Sequence, residues 1–192
     1  MRDTRIGIGW RVHSWWAVVV AVTGPPASPV VVHREQVTLV EDESMREPYH
    51  AATAVPLGEA PSLIGSVARA AAASAEATLR GFVSSLGAVA AVGVVGGNRR
   101  LPELPQILAK HARLHEAERD LYERAIIKGA ARTSLPVTTI PARATLLSEA
   151  SDVLGVALDP TLAALGKSIG PPWQKNYKEA TAAALVALGA LG

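Results

Sequence analysis

The chain of 192 residues is 49% hydrophobic and 19% charged, a composition that excludes a disordered polypeptide and predicts a single domain over residues 1–192. Its net charge of +2 permits contact with nucleic acid but falls well short of the strong positive charge typical of nucleic-acid-binding proteins. The lack of cysteine excludes disulfides and thiolate metal sites, and the longest apolar run, residues 15–22, is shorter than the roughly 20 residues of a membrane-spanning helix. We therefore expect a soluble, cytoplasmic protein without a membrane partner.

The amino-terminal stretch predicts an antiparallel meander of three strands. It is rich in Val and Trp, which favour extended backbone. The prolines within residues 24–29 interrupt it and predict a hairpin loop. The second strand is apolar almost throughout, as expected of a strand that is covered on both faces. The predicted strands are residues 5–10, 15–23 and 30–40.

The rest of the chain predicts helices that alternate with two further strands. Residues 41–61 are polar and predict a long connection without regular structure. An Ala-rich helix with Ser62 as its N-cap then leads to an apolar strand bounded by glycines, which we expect to pair parallel to the first strand. Asp159 is the predicted N-cap of a later helix that begins at Pro160. The predicted strands are residues 88–95 and 135–140, and the predicted helices are residues 62–86, 104–132, 143–154, 160–168 and 175–191.

The helix predicted over residues 104–132 carries a candidate metal site. His111 and His115 are four residues apart and Glu118 is three further on, so the three side chains share one helical face. This spacing is one that a metal site can use. The same residues can instead hydrogen-bond to one another across a packed face, and the sequence leaves both interpretations open.

The order of the elements resembles a known fold. Three antiparallel strands followed by helix-linked parallel strands are similar to the ribonuclease H-like fold, and to its RuvC-like resolvase branch in particular. The local matches are residues 6–9 (IGIG), 16–19 (WAVV), 135–141 (LPVTTIP) and 178–180 (KEA). The resemblance implies an α/β three-layer fold, with a mixed five-stranded sheet made of the antiparallel meander and two parallel strands, flanked by helices.

The acidic positions of that family are largely missing here. Active members gather carboxylates at the first strand, at the end of the fourth strand and on the last helix, where they hold two divalent metals for phosphodiester hydrolysis. In this chain Gly9 stands at the first position, residues 95–97 end the fourth strand without an acid, and Asp3 lies too early on the first strand to substitute. Only Glu179 remains, on the closing helix. The resemblance therefore implies a pseudonuclease that serves as a nucleic-acid-binding or scaffold domain.

The predicted nucleic-acid contacts are four basic residues near the fourth strand and the closing helix. Such side chains contact the phosphates of DNA or RNA without reading bases, or they are simply solvated surface. These residues are Arg99, Arg100, Lys175 and Lys178.

Two other functions remain open from the sequence. In the first, Glu179, Glu118 and His115 form the rearranged catalytic site of a nuclease that depends on Mg²⁺ or Mn²⁺. In the second, residues 33–36 form an exposed strand edge that pairs with a protein partner or with a second copy of the chain. The sequence does not decide whether the protein is an enzyme.

Overall fold

One five-stranded sheet organises the molecule. The structure is a computed structural model, and it describes residues 4–192. The strand order of the sheet is β3-β2-β1-β4-β5. The first three strands pair antiparallel, while β4 pairs parallel to both β1 and β5. The predicted mixed sheet is thereby confirmed. The strands are β1 Ile6–Val12, β2 Trp16–Thr23, β3 Val30–Thr38, β4 Val89–Val95 and β5 Val137–Ile140.

Seven α-helices and one short 3₁₀ helix, Glu43–Met45, flank this sheet within the described residues. No helix of residues 4–192 is long and apolar enough to cross a membrane. The helices are α1 Pro48–Ala52, α2 Ala60–Leu86, α3 Leu104–Leu108, α4 His111–Ala131, α5 Leu146–Leu154, α6 Leu158–Ile169 and α7 Lys175–Gly189.

Three predicted helix starts were wrong. Helix α5 begins at Leu146 rather than at Arg143. Helix α2 begins at Ala60, ahead of the predicted cap Ser62, because Pro61 fits the first turn, where its missing N–H costs nothing. Helix α6 begins at Leu158, and Asp159 lies inside its first turn, where the helix dipole favours a negative charge. The predicted connection over residues 41–61 also holds regular structure, namely the 3₁₀ helix and α1.

The single helix predicted over residues 104–132 is in fact two helices. Lys110 adopts an extended conformation, with φ −140° and ψ 118°, and separates α3 from α4. The break folds Ile107 back onto Leu114 and Ala117, so that all three are buried in one apolar cluster. In a continuous helix Ile107 and Leu114 would lie about two turns apart. Helix α4 consequently begins at His111.

The two faces of β1 meet different partners, because successive side chains of a strand point in opposite directions. Ile8 and Trp10 pack into a core shared with α2 and α4. On the other face, Gly9 lies against Ala180 of α7, and Gly93 of β4 lies against Ala183. A Cβ at either glycine would collide with backbone atoms of α7. Glycine therefore allows α7 to approach the sheet backbone directly.

Candidate functional site

The carboxyl ends of β1 and β4 meet the amino end of α7 at one edge of the sheet. Gly7 lies beside Ala184 and Gly9 beside Ala180, so α7 runs opposite to β1 and its first residues lie past the end of that strand. In α/β sheets, ligands bind outside the carboxyl ends of parallel strands. We call the surface around this edge the carboxyl edge. The loop with Arg99 and Arg100 follows β4 there.

An ion pair joins β1 to α7 at the carboxyl edge. The Nε of Arg11 donates to Oε2 of Glu179 at 2.5 Å, and Nζ of Lys175 lies 3.6 Å from Oε1 of the same carboxylate. The Glu179 side chain is only 4% exposed. Both oxygens of Glu179 thus face cationic side chains of the chain itself.

The two strand positions at which the resemblance implies acids in active nucleases hold glycines without room for a side chain. A Cβ on Gly9 would collide with the carbonyl oxygen of Ala180. At the end of β4, Gly96 has φ 108°, and a Cβ there would collide with the carboxylate of Glu123. A carboxylate can therefore occupy neither position with this backbone. Asp3, which the sequence offers as a weak substitute for the first-strand acid, lies outside the described residues.

Glu123 of α4 brings a buried carboxylate to the end of β4. Its side chain is 0% exposed, and Oε2 accepts hydrogen bonds from the Gly97 N–H at 2.7 Å and from Nη1 of Arg99 at 2.5 Å. Within residues 4–192, Oε1 has no hydrogen-bond partner. Burial raises the pKa of Glu123, although the Gly97 N–H and Arg99 oppose the rise.

Glu123 was not predicted from the sequence, although the residues around it carry one signal for it. Its neighbours three and four residues on, Ile126 and Ile127, are apolar, and Ala130 continues the same face. An acid in register with apolar residues on a helix faces the core. Its partner Arg99 was predicted to contact nucleic acid, but the Glu123 carboxylate already binds that guanidinium.

Three basic side chains at the carboxyl edge form no ion pair within the described part of the chain. Arg100 is exposed and Lys178 is half-buried, as predicted for phosphate contacts. Arg119, on an exposed position of α4, was not predicted. It lies near His13 in the β1–β2 turn, and its charge helps to lower the pKa of His13, for which burial is the larger cause. We call Arg100, Arg119 and Lys178 the free cations.

An aromatic pair lies near one of these cations, Arg119. His13 and Trp16 stack with ring centroids 4.5 Å apart and planes inclined by 7°. His13 is exposed and Trp16 is half-buried, so the stack is accessible at the turn between β1 and β2. Aromatic faces next to basic side chains are the groups on which proteins stack unpaired bases.

The three residues of the predicted metal site lie together on α4. Nε2 of His111 and Nε2 of His115 are 3.0 Å apart, and Nδ1 of His115 lies 3.9 Å from Oε2 of Glu118. The structure adds His50 of α1, whose Nδ1 is 2.8 Å from Oε1 of Glu118. His50 could not be selected from the sequence, because it lies in the polar connection and no helical spacing relates it to α4.

The rearranged nuclease site is not assembled in this structure. Glu118 and His115 belong to α4, which packs with α2 on one face of the sheet. Glu179 belongs to α7, which covers the opposite face at Gly9, and it is paired with Arg11. The sheet therefore separates Glu179 from the two residues predicted to act with it.

The predicted pairing edge, residues 33–36, lies on β3, which is the outer strand of the sheet. Arg34 reaches from this edge to the turn that precedes α7. Its guanidinium donates hydrogen bonds to four successive carbonyl oxygens, those of Ile169, Gly170, Pro171 and Pro172.

The strand order and helix placement are those of a RuvC-like, ribonuclease H-like fold. The structure of Thermus thermophilus RuvC is similar, with a TM-score of 0.54 and 14% identity over 97% of this chain and 95% of that chain. T. thermophilus RuvC in complex with Holliday junction substrate matches with a TM-score of 0.54 and 13% identity over 97% and 94%. The fold expected from the sequence is thereby confirmed. No protein-family model and no curated protein sequence matches the chain.

Proposed function

We propose that this chain is a RuvC-like domain that binds nucleic acid and does not cleave it. The Arg11–Glu179 ion pair carries the proposal. Two-metal phosphodiester hydrolysis needs several carboxylates around a pair of cations. At the carboxyl edge the carboxylate of Glu179 instead binds the guanidinium of Arg11. The strand positions implied for the other two acids hold Gly9 and Gly96, where a side chain would collide with neighbouring atoms.

The same edge offers groups that suit a nucleic acid. The free cations supply positive charge that no carboxylate of the described residues neutralises. They would contact phosphates, while the stack of His13 on Trp16 would receive an unpaired base. This combination favours single strands and branched molecules over uninterrupted duplex. The similar T. thermophilus RuvC was solved with a Holliday junction substrate, which supports a branched ligand.

The binding test compares two double variants that remove the same charge. Arg119→Ala/Lys178→Ala removes two free cations, whereas Lys128→Ala/Lys167→Ala removes two exposed lysines from other parts of the surface. Fluorescence anisotropy would be measured with labelled single-stranded, duplex and four-way-junction DNA and RNA at several salt concentrations. We expect the first variant to bind more weakly to every ligand, with a salt slope lower by about 0.7–0.9 per lost phosphate contact. Equal affinity for the two variants would contradict the proposed surface.

The catalytic test uses the same ligands with Mg²⁺, Mn²⁺ or a chelator. We expect binding without cleavage under all three conditions. Cleavage that requires a divalent metal and disappears in Glu179→Ala would overturn the proposal in favour of an active nuclease. A variant such as Arg11→Met would then show whether the ion pair restrains that activity.

A further inference from the structure

Three of the five histidines of the chain converge where α1 meets α4. One nitrogen from each of His50, His111 and His115 lies within 4.8 Å of the others. We propose that these three imidazoles bind one Zn²⁺ ion, with Glu118 as the hydrogen-bond partner that orients His50. This site is independent of nucleic-acid binding at the carboxyl edge.

The distances suit a single tetrahedral ion after small side-chain rotations. A Zn–N bond of about 2.0–2.1 Å places two ligand nitrogens about 3.4 Å apart. The Nε2 atoms of His111 and His115 are 3.0 Å apart. The ring centroids of His50 lie 5.1 Å from His111 and 4.7 Å from His115. Small side-chain rotations are therefore enough to direct all three nitrogens at one point.

Glu118 orients the ring of His50. Because a carboxylate only accepts hydrogen bonds, Nδ1 of His50 donates to Oε1 of Glu118 at 2.8 Å, and in the neutral imidazole Nε2 then keeps a free lone pair. The backbone N–H of His50 donates to the same oxygen at 3.2 Å, which fixes the residue further. A carboxylate behind a histidine is the usual support of a metal-bound imidazole. Glu118 is buried, so its negative charge also offsets part of the charge of the ion.

A purely hydrogen-bonded cluster pairs the facing nitrogens of His111 and His115 but leaves one ring nitrogen of His50 without a protein partner among the described residues. Between the facing Nε2 atoms of His111 and His115, one nitrogen must donate and the other must accept. Within residues 4–192, Nε2 of His50 has no hydrogen-bond partner. A metal ion would use the lone pairs of all three rings at once.

The ligand set favours a metal that binds imidazole nitrogen, such as Zn²⁺, over one that prefers oxygen. Three neutral imidazoles suit Zn²⁺, whereas Mg²⁺ and Mn²⁺ prefer oxygen ligands. His111 and His115 are exposed, so the fourth coordination position faces solvent and would hold water. An ion here would join α1, in the connection between β3 and α2, to the first turns of α4.

The test uses protein whose affinity tag has been removed. Isothermal titration with Zn²⁺ should give one ion per chain, and Co²⁺ should give the intense visible absorption of a tetrahedral site. We expect Tm to rise by about 5–10 °C at a zinc concentration roughly 100-fold above Kd. Each variant His50→Ala, His111→Ala and His115→Ala should abolish the rise, and Glu118→Gln should weaken binding by about 10–100-fold.

The two remaining histidines provide matched controls. His13→Ala and His33→Ala remove the same side chain from other parts of the fold and should keep the full zinc response. Circular dichroism without metal would establish that each variant is folded. The absence of stoichiometric zinc binding to the unmodified protein would overturn the proposal, as would a weak octahedral Co²⁺ spectrum or an unchanged response in His50→Ala. None of these results depends on nucleic-acid affinity.

Discussion

The guanidinium of Arg11 and the carboxylate of Glu179 are 168 residues apart in sequence and form an ion pair between the first strand and the last helix. The Arg11 side chain is 17% exposed and that of Glu179 is 4% exposed, so the pair is largely withdrawn from water. A fixed cation of the protein therefore binds the carboxylate of the last helix.

Removing one partner of this pair should destabilise the protein more than removing both. Arg11→Met leaves Glu179 buried with only Lys175 nearby, and we expect the free energy of unfolding to fall by about 3 kcal/mol. In Arg11→Met/Glu179→Leu no buried charge is left, and the loss should be about 1 kcal/mol or less. Urea denaturation of both variants measures the difference. A double variant less stable than the single variant would contradict the buried-pair argument.

Alanine at Gly9 should strongly destabilise the fold. Its Cβ would collide with the carbonyl oxygen of Ala180, a backbone atom that no side-chain rotation can remove. We expect a loss of about 3 kcal/mol or more in the free energy of unfolding. Gly81→Ala is the control, because a Cβ at this exposed position in α2 meets nothing within 4 Å. It should stabilise the protein by about 0.5–1 kcal/mol. Thermal and urea unfolding would show whether the two variants move in opposite directions.

The stability of the protein should carry a pH dependence that comes from Glu123. Burial raises its folded-state pKa above the ordinary value of 4.5. The folded state therefore binds the proton more tightly than the unfolded state does. Its contribution to stability is complete below pH 4.5 and is lost as the pH rises through the folded-state pKa.

Glu123→Gln isolates this effect, because glutamine does not titrate. The free energy of unfolding of the unmodified protein, minus that of the variant, should decrease as the pH is raised from acid to neutral. Urea denaturation at a series of pH values measures this difference. A difference that increased with pH would mean that Arg99 and the Gly97 N–H outweigh burial.

Arg34 should stabilise the turn before α7. Its guanidinium donates to the carbonyl oxygens of four successive residues, at distances from 2.8 to 3.2 Å. We expect Arg34→Ala to lower the free energy of unfolding by about 1–3 kcal/mol. Arg69→Ala removes an exposed arginine of α2 and should change stability by less than about 0.5 kcal/mol. Faster hydrogen exchange in residues 169–173 of the Arg34 variant alone would locate the effect.

Local patterns in the sequence were sufficient to predict the sheet. Val-rich runs separated by a proline loop predicted the meander, and glycines around residues 88–95 predicted the parallel central strand. Local patterns also predicted that His111, His115 and Glu118 share a face, because helical spacing alone decides it. The break at Lys110 had no glycine or proline to indicate it, and it follows from the burial of Ile107 against Leu114.

The remaining site residues depend on tertiary contacts. Arg11 meets Glu179, and His50 meets Glu118, only after distant segments pack together. The pairing of Arg99 likewise depends on where Glu123 lies. No spacing rule relates these residues, so composition and periodicity could not identify them.

The contact of α7 with Gly9 also limits how this lineage can evolve. A single nucleotide change can turn a glycine codon into an aspartate codon, yet aspartate at position 9 would enter space that the Ala180 carbonyl fills. Helix α7 would first have to move away from the sheet, which requires new side chains along its whole inner face. An acidic side chain at position 9 would thus arise only through less stable intermediates, which selection for stability disfavours.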